Sequence, residues 1–277
     1  SNLTMVTPDY ASFFIDRGFT IGGSFDGGCN EITRHNTEKI LEGRKNIINA
    51  GGHCGFICVI TSKNIDNLVE DYRWFNKEGI GYTINPYLSS DLNDGLTVPA
   101  EKYVECVTKL FDEWFYDVES KITIGQLFHI VKYVVQGKKS ICSYNSCLGK
   151  WIGVHNNGDI YQCNRDFPQE YCFGNVFDYN DIHECFESEG FNSLITGAIA
   201  RREKCKECSI YDFCSGGCNN NAIVYGNIEE NNNYSCEILI PIYTHIKARV
   251  KKINLMSVQE IKKTVAPKIA ELFEELY

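Results

Sequence analysis

The sequence predicts an α/β fold with a parallel sheet, followed by an irregular segment organised by bound metal. Two observations carry the first half of that expectation. Through the first 120 residues, short apolar runs of strand length alternate with helical stripes, and glycines close the helices before the next strand begins. A third observation carries the second half. Cys205, Cys208, Cys214 and Cys218 fall within fourteen residues, with Gly216 and Gly217 bending the backbone between the last two. Thiols packed so tightly suit a metal centre better than a core.

Residues 5–18 read as a helix and Phe19 to Phe25 as a short strand. Asn36 or Thr37 caps a helix that carries Ile40, Leu41, Ile47 and Ile48 and stops at Gly51 and Gly52. The strand Gly55 to Thr61 follows. Ile65, Leu68, Val69, Tyr72 and Phe75 then repeat at the spacing of one buried helical face, which closes at Gly79. A strand from Gly81 to Leu88 and a helix with Tyr103, Val104, Val107, Leu110, Phe111 and Trp114 complete the series. Repeated strand–helix units imply a parallel sheet, with any site at the carboxyl ends of its strands. Three parallel strands open at both edges make a poor free-standing domain, so the expectation is that the chain begins in the middle of a barrel.

After about residue 139 helical periodicity fades, and cysteine, asparagine and glycine become dense. Cys142 and Cys147 precede a run from Trp151 to Cys163 in which Asn157-Gly158 separates apolar segments, a strong signal for a two-residue hairpin. Closing that hairpin returns Cys163 towards the end at which Cys147 entered. Residues 257–276 read as a last helix, with Ser257 and Glu260 in a capping-box pattern, Ile261, Val265, Ile269, Leu272 and Phe273 as its stripe, and Pro267 bending it.

Composition excludes several functions. A net charge of −9, from 27 basic and 36 acidic residues, argues against binding a phosphate backbone, and the basic run Lys247 to Lys252 reads as the solvated side of a helix. No apolar segment reaches transmembrane length and the first residues resemble no targeting signal, so no nucleic-acid or membrane partner is expected and the expected location is cytoplasmic. Fourteen cysteines in a chain that is 43% hydrophobic do not need a disulfide framework to replace a missing core. Cys29, Cys54, Cys58, Cys106, Cys172 and Cys185 read as small buried hydrophobes or idle thiols.

The order Cys142, Cys147, Gly158, Cys163, then Cys205-x2-Cys208-x5-Cys214-x3-Cys218, then Cys236 resembles the SPASM domain of radical S-adenosylmethionine enzymes, especially anaerobic sulfatase-maturating enzymes and peptide (RiPP) maturases. Asp159 to Cys163 and Phe173-Gly174-Asn175-Val176 are similar to passages of the same family. In the front half, Ser24-Phe25-Asp26-Gly27 followed by Arg34 is similar to its fourth barrel strand, and Ser1-Asn2 to the end of its third.

The resemblance implies the second half of a partial (β/α)6 barrel over residues 1–120, a linker at 121–140, a SPASM domain at 141–240 and C-terminal helices at 241–277. It implies two auxiliary 4Fe–4S clusters, one on Cys142, Cys147, Cys163 and Cys218, the other on Cys205, Cys208, Cys214 and Cys236. Ser24, Asp26 and Arg34 would lie beside S-adenosylmethionine. A peptide or protein substrate and an electron donor such as flavodoxin or ferredoxin are the implied partners. The family's CxxxCxxC loop, which holds the radical-generating third 4Fe–4S cluster, does not occur in the sequence; Cys54 and Cys58, about 13 Å apart by strand rise, cannot wrap one cluster. The expectation is therefore a truncated, inactive piece of a longer peptide-modifying oxidoreductase. Sulfatase-maturating relatives carry an Asp as base after the hairpin cysteine. Here Asn164 stands in that place and an amide cannot take a proton, which leaves Asp166 as the candidate base and favours another modification, such as a thioether or carbon–carbon crosslink. The alternative is a non-catalytic peptide-binding module stabilised by clusters or zinc, since four thiolates also suit structural zinc.

Overall fold

The structure, a computed structural model, describes residues 1–89, 94–145, 147–224, 226–230 and 233–276, with only the backbone of residue 233. The chain divides into two compact units: Ser1–Tyr87, Asp91–Lys138 and Pro241–Tyr277 form one, Leu88–Ser90 and Lys139–Ile240 the other.

The first unit is built on a parallel sheet. Helix α1 (Pro8–Asp16) starts where the Thr7 hydroxyl accepts the Tyr10 N–H. Its chain then turns through Gly18, at φ 75°, and Phe19 donates its N–H back to Phe14. That turn uses residues expected to extend the first strand, so β1 is only Gly23–Ser24. The short α2 (Asn30–Thr33) and α3 (Thr37–Asn49) lead to β2 (Phe56–Ile60). A single 3-10 turn precedes α4 (Leu68–Lys77), and β3 (Tyr82–Pro86), α5 (Ala100–Phe115) and α6 (Gly125–Gln136) follow. The strands lie in the order β1-β2-β3, all parallel, with Gly23 opposite Phe56 and Phe56 opposite Tyr82. A parallel bridge from Tyr82 to Ile124 marks the next position outwards. Helix α6 falls inside the expected linker and buries Leu127, Ile130 and Val131.

The period of two assigns each side of the sheet. Phe56, Cys58 and Ile60 of β2, with Tyr82 and Ile84 of β3, are buried. Phe25, Phe56, Trp74, Phe75 and Tyr82 form one aromatic cluster, in which Phe75 and Tyr82 stack at 4.2 Å between ring centres. Each such burial contributes about 1.5–3 kcal/mol. The opposite side is open. Ser24, Ile57 and Thr83 stand in register across the three strands, and Ile57 is 43% exposed. Parallel sheets ordinarily bury both faces, and their sites lie at the carboxyl ends of the strands, so this sheet leaves one face accessible beside those ends.

The second unit is held by less regular structure. Strands β4 (Gly153–Val154) and β5 (Ile160–Tyr161) pair antiparallel, and Gly158, at φ 90°, turns between them. The far edge of β5 is also paired: Ile160 donates to the Gly174 carbonyl at 2.8 Å and Phe173 to the Ile160 carbonyl at 2.7 Å. Helix α7 (Glu189–Cys205) is capped by Ser188. Its buried stripe is Gly190, Leu194, Gly197, Ala198, Arg201 and Cys205, in which Leu194 is the one large apolar residue, so the helical period is concealed. Ile160, Phe173, Cys185, Leu194, Ala198 and Ile228 form the unit's core. The short α8 (Tyr211–Cys214) and α9 (Asn219–Val224) follow, and α10 (Asn233–Ile253) runs on into residues of the first unit, with Lys247, Lys251 and Lys252 exposed.

The expected last helix is two helices. Ser257 and Glu260 make the capping box of α11 (Val258–Lys262), and Pro267 opens α12 (Pro267–Glu274) rather than bending one long helix, because its fixed φ suits a first turn and its missing N–H is not needed there. Among the described residues no helix is long and apolar enough to cross a membrane.

Candidate metal centre

Local backbone geometry presents each thiol. Cys142 opens a 3-10 turn, and Cys163 lies two residues beyond β5, where the hairpin returns the chain. Cys205 is the last residue of α7, its carbonyl accepting the Cys208 N–H at 2.9 Å, and Cys214 is the last residue of α8. Beyond Cys214, three residues in succession take positive φ: Ser215 at 53°, Gly216 at 81° and Gly217 at 71°. Glycine makes two of these three positions cheap and so lets the chain coil tightly before Cys218. Cys236 sits in the first turn of α10.

The electrostatics sort these thiols into two sets. Cys147 is pushed up to about 11, by burial first of all and then by the neighbouring Cys218, Cys142 and Cys163. Burial likewise raises Cys163, with Cys218 and Cys142 adding to it. Burial pushes Cys214 up to about 12, with Cys236, Cys205 and Cys208 as its cysteine neighbours, and it raises Cys236, again beside Cys205 and Cys208. Cys142, Cys147, Cys163 and Cys218 thus stand within electrostatic reach of one another, as do Cys205, Cys208, Cys214 and Cys236.

Among the described residues no three His, Cys, Asp or Glu converge as ligands of one metal ion. Thiolates around a single zinc sit about 2.3 Å from it. A 4Fe–4S cube spreads its four thiolates over separate irons and so needs a wider ring. Two all-cysteine sets, with neither His nor carboxylate among them, match the donor chemistry of such clusters.

A buried polar chain crosses this region. Arg201 is 1% exposed. It donates through Nε to the Gly216 carbonyl at 3.0 Å, through Nη1 to the Ile228 carbonyl at 2.6 Å and through Nη2 to Asn219 Oδ1 at 2.5 Å. Asn219 Nδ2 donates to Gln162 Oε1 at 2.9 Å, and Gln162 Nε2 donates to Cys147 Sγ at 2.9 Å. Sequence reasoning missed all three residues. The available signals were slight: Gln162 and Asn219 each adjoin a cysteine of the pattern, and Arg201 precedes Cys205 by one helical turn.

The structure also brings together residues near the carboxyl ends of β1 and β2. Asp26 is buried; its Oδ1 accepts the Val59 N–H at 2.9 Å, its Oδ2 accepts the Thr33 hydroxyl at 2.8 Å and pairs with Arg34 Nε at 2.8 Å. Ser24 lies half-buried on the open face. Asp71, which no motif marked, accepts the Gly28 N–H at 2.7 Å through Oδ1, while its buried Oδ2 has no hydrogen-bond partner among the described residues. Burial above all pushes this carboxyl up to about 6; the Gly28 N–H opposes the shift, and Glu70 and Asp26 add to it. Asp166 is exposed, and it is its carbonyl that Asn220 Nδ2 holds, at 2.6 Å.

No family model matches the chain. The cysteine-type anaerobic sulfatase-maturating enzyme of Clostridium novyi (strain NT) is 23% identical over 256 residues, an alignment covering 86% of this chain and 67% of that enzyme. The serine-type anaerobic sulfatase-maturating enzyme of Bacteroides thetaiotaomicron is 21% identical over 275 residues, covering 89% and 66%. These homologues, to which the chain is similar over most of its length, are anaerobic sulfatase-maturating enzymes. The chain spans about two thirds of their length. Among solved structures, hexahistidine-tagged anSMEcpe with bound AdoMet matches at a TM-score of 0.80 and 19% identity, over 100% of this chain and 74% of that one. Native anSMEcpe with bound AdoMet and Cp18Cys peptide matches at 0.80 and 20%, over 92% and 75%. At these identities the match establishes a shared α/β fold.

Proposed function

We propose that this chain serves a radical S-adenosylmethionine enzyme that modifies a peptide or protein, and that its cysteine-rich unit holds two auxiliary 4Fe–4S clusters. The division of eight thiols into two sets of four carries the reading. Cys142, Cys147, Cys163 and Cys218 hold one cluster, and Cys205, Cys208, Cys214 and Cys236 the other, so that Cys218 ties the glycine-rich loop to the hairpin. When bound, such clusters supply one-electron transfer or a binding point for substrate. Flavodoxin or ferredoxin is the expected source of electrons.

The open sheet face supplies the second site. Ser24 faces it, and the ion pair of Asp26 with Arg34 stiffens the turn beyond β1 against which S-adenosylmethionine would rest. A CxxxCxxC loop is not among the 277 residues, so the radical-forming step is not assigned to them. Homologues act in sulfatase maturation, and solved relatives are bound to peptides, which supports a peptide or protein substrate. The amide of Asn164 cannot accept a proton, and the exposed Asp166 is the carboxylate free to do so. These two residues favour a modification other than sulfatase maturation.

The test is iron, acid-labile sulfide and zinc analysis of the chain reconstituted without oxygen. About eight irons with matching sulfide per chain are expected from two 4Fe–4S clusters. Zinc bound without sulfide would refute the reading and leave a zinc-stabilised peptide-binding module in its place.

A further inference from the structure

We infer that Arg201, Asn219 and Gln162 form a directed hydrogen-bond relay that positions the Cys147 sulfur and tunes the hairpin cluster, an inference that rests on the cluster reading above. The direction follows from chemistry. Arginine has only donors, so the Asn219 atom 2.5 Å from Nη2 is its carbonyl oxygen. That leaves the Asn219 amide nitrogen facing Gln162, which must meet it with Oε1 at 2.9 Å and present Nε2 to Cys147 Sγ at 2.9 Å. The orientation of both amides is thereby set from one end.

The burial of the relay makes it consequential. Gln162 is 3% exposed, Asn219 2% and Arg201 1%. Among the described residues no carboxylate pairs with Arg201, whose three hydrogen bonds all go to neutral oxygens. A buried cation without a counter-charge is strongly unfavourable. Cysteine sulfurs from both sets lie within its electrostatic reach, Cys218 of one and Cys205 and Cys214 of the other. Cluster-bound thiolates supply the charge that the protein's carboxylates do not. A donor aimed at a ligand sulfur, and a cation nearby, both favour the reduced cluster and raise its potential.

Asn219→Asp tests the relay with almost no change of shape. The new carboxylate pairs with Arg201, its second oxygen repels Gln162 Oε1, the glutamine amide turns over, and a carbonyl oxygen faces Cys147. Gln162→Leu removes the donor by a different route. In the chain reconstituted with iron and sulfide, both variants should lower the midpoint potential of one auxiliary cluster, by about tenfold in its reduction equilibrium, or 59 mV for one electron. They should also alter the EPR signal of that cluster alone. Loss of about four irons confined to the Cys142, Cys147, Cys163 and Cys218 set would support the relay as well, because a folding defect empties both sets. Unchanged potentials in loaded variants, or equal loss from both sets, would overturn it. A wild-type chain that binds no iron and sulfide would instead defeat the cluster reading itself.

Discussion

Replacing Asp71 by Asn should remove a pH dependence from the sheet-bearing unit and stabilise that unit at neutral pH. Asp71 is 6% exposed, it accepts a hydrogen bond through Oδ1, and among the described residues its Oδ2 has no partner. Its carboxyl is raised from 3.8 to about 6, so the folded chain still holds a proton where the unfolded chain has lost it. Between about pH 4 and pH 6 the folded state therefore binds more protons, and stability falls as the pH rises through that window. Above it, the charged carboxylate costs the folded state about 3 kcal/mol at most, at about 1.4 kcal/mol per unit. Residual contact with water reduces this, and the amide of an Asn brings its own unpaired N–H, so a net gain of about 1 kcal/mol is expected at pH 7.5. Asn retains an oxygen for the Gly28 N–H. Urea unfolding followed by fluorescence between pH 4.5 and 8 would measure it, since Trp74 lines the same groove as Asp71. Parallel pH profiles for the two proteins would refute the reasoning.

Four further outcomes are expected. Cys218→Ala should empty the hairpin set and spare the loop set, leaving about four of the eight irons expected of two cubes; loss restricted to the loop set would refute the crossing of ligands. Gly190→Ala should destabilise the cysteine-rich unit by about 1–3 kcal/mol in thermal or urea unfolding, because an added Cβ would lie 1.9 Å from the Cys172 carbonyl oxygen. Asp26→Asn should cost about 2–4 kcal/mol, since Arg34 loses its partner and one of two filled acceptor positions becomes a donor; an unfolding midpoint equal to wild type would show that the pair does not hold the turn. Trp114→Phe removes the buried indole N–H bond to the Ile122 carbonyl, 3.1 Å, and part of a fully buried ring, and should lower stability by about 1–3 kcal/mol.

Much of the first unit was legible because its period is written in large apolar residues. Ile65, Leu68, Tyr72 and Phe75 announced their helical run, and Phe56 to Ile60 their strand, each within a residue or two of its observed ends. The first strand was overread: Phe19 to Ile21 are apolar or β-branched, but the turn through Gly18 draws their backbone away from the sheet. Helix α7 went unread for the opposite reason. Its buried face includes Gly190 and Gly197, poor helix formers, with the small Ala198 and Arg201, a residue type usually at the surface, and only close approach to Cys172 and Ile228 explains the two glycines. At the other end, Pro267 was read as a bend because sequence shows where a proline falls but not whether a new helix starts there.

The sequence by itself determined which residues form the parallel strands and helices between Thr37 and Phe115, and which eight cysteines bear the metal-ligand pattern, because hydrophobic period and thiol chemistry are properties of short segments. Only the tertiary structure decided which face of the sheet is open, and that Arg201, Asn219 and Gln162 lie buried in line with Cys147. Arg201 and Gln162 lie 39 positions apart in the chain. A buried charge is tolerable only with partners, and here those partners come from segments that meet only when the chain has folded.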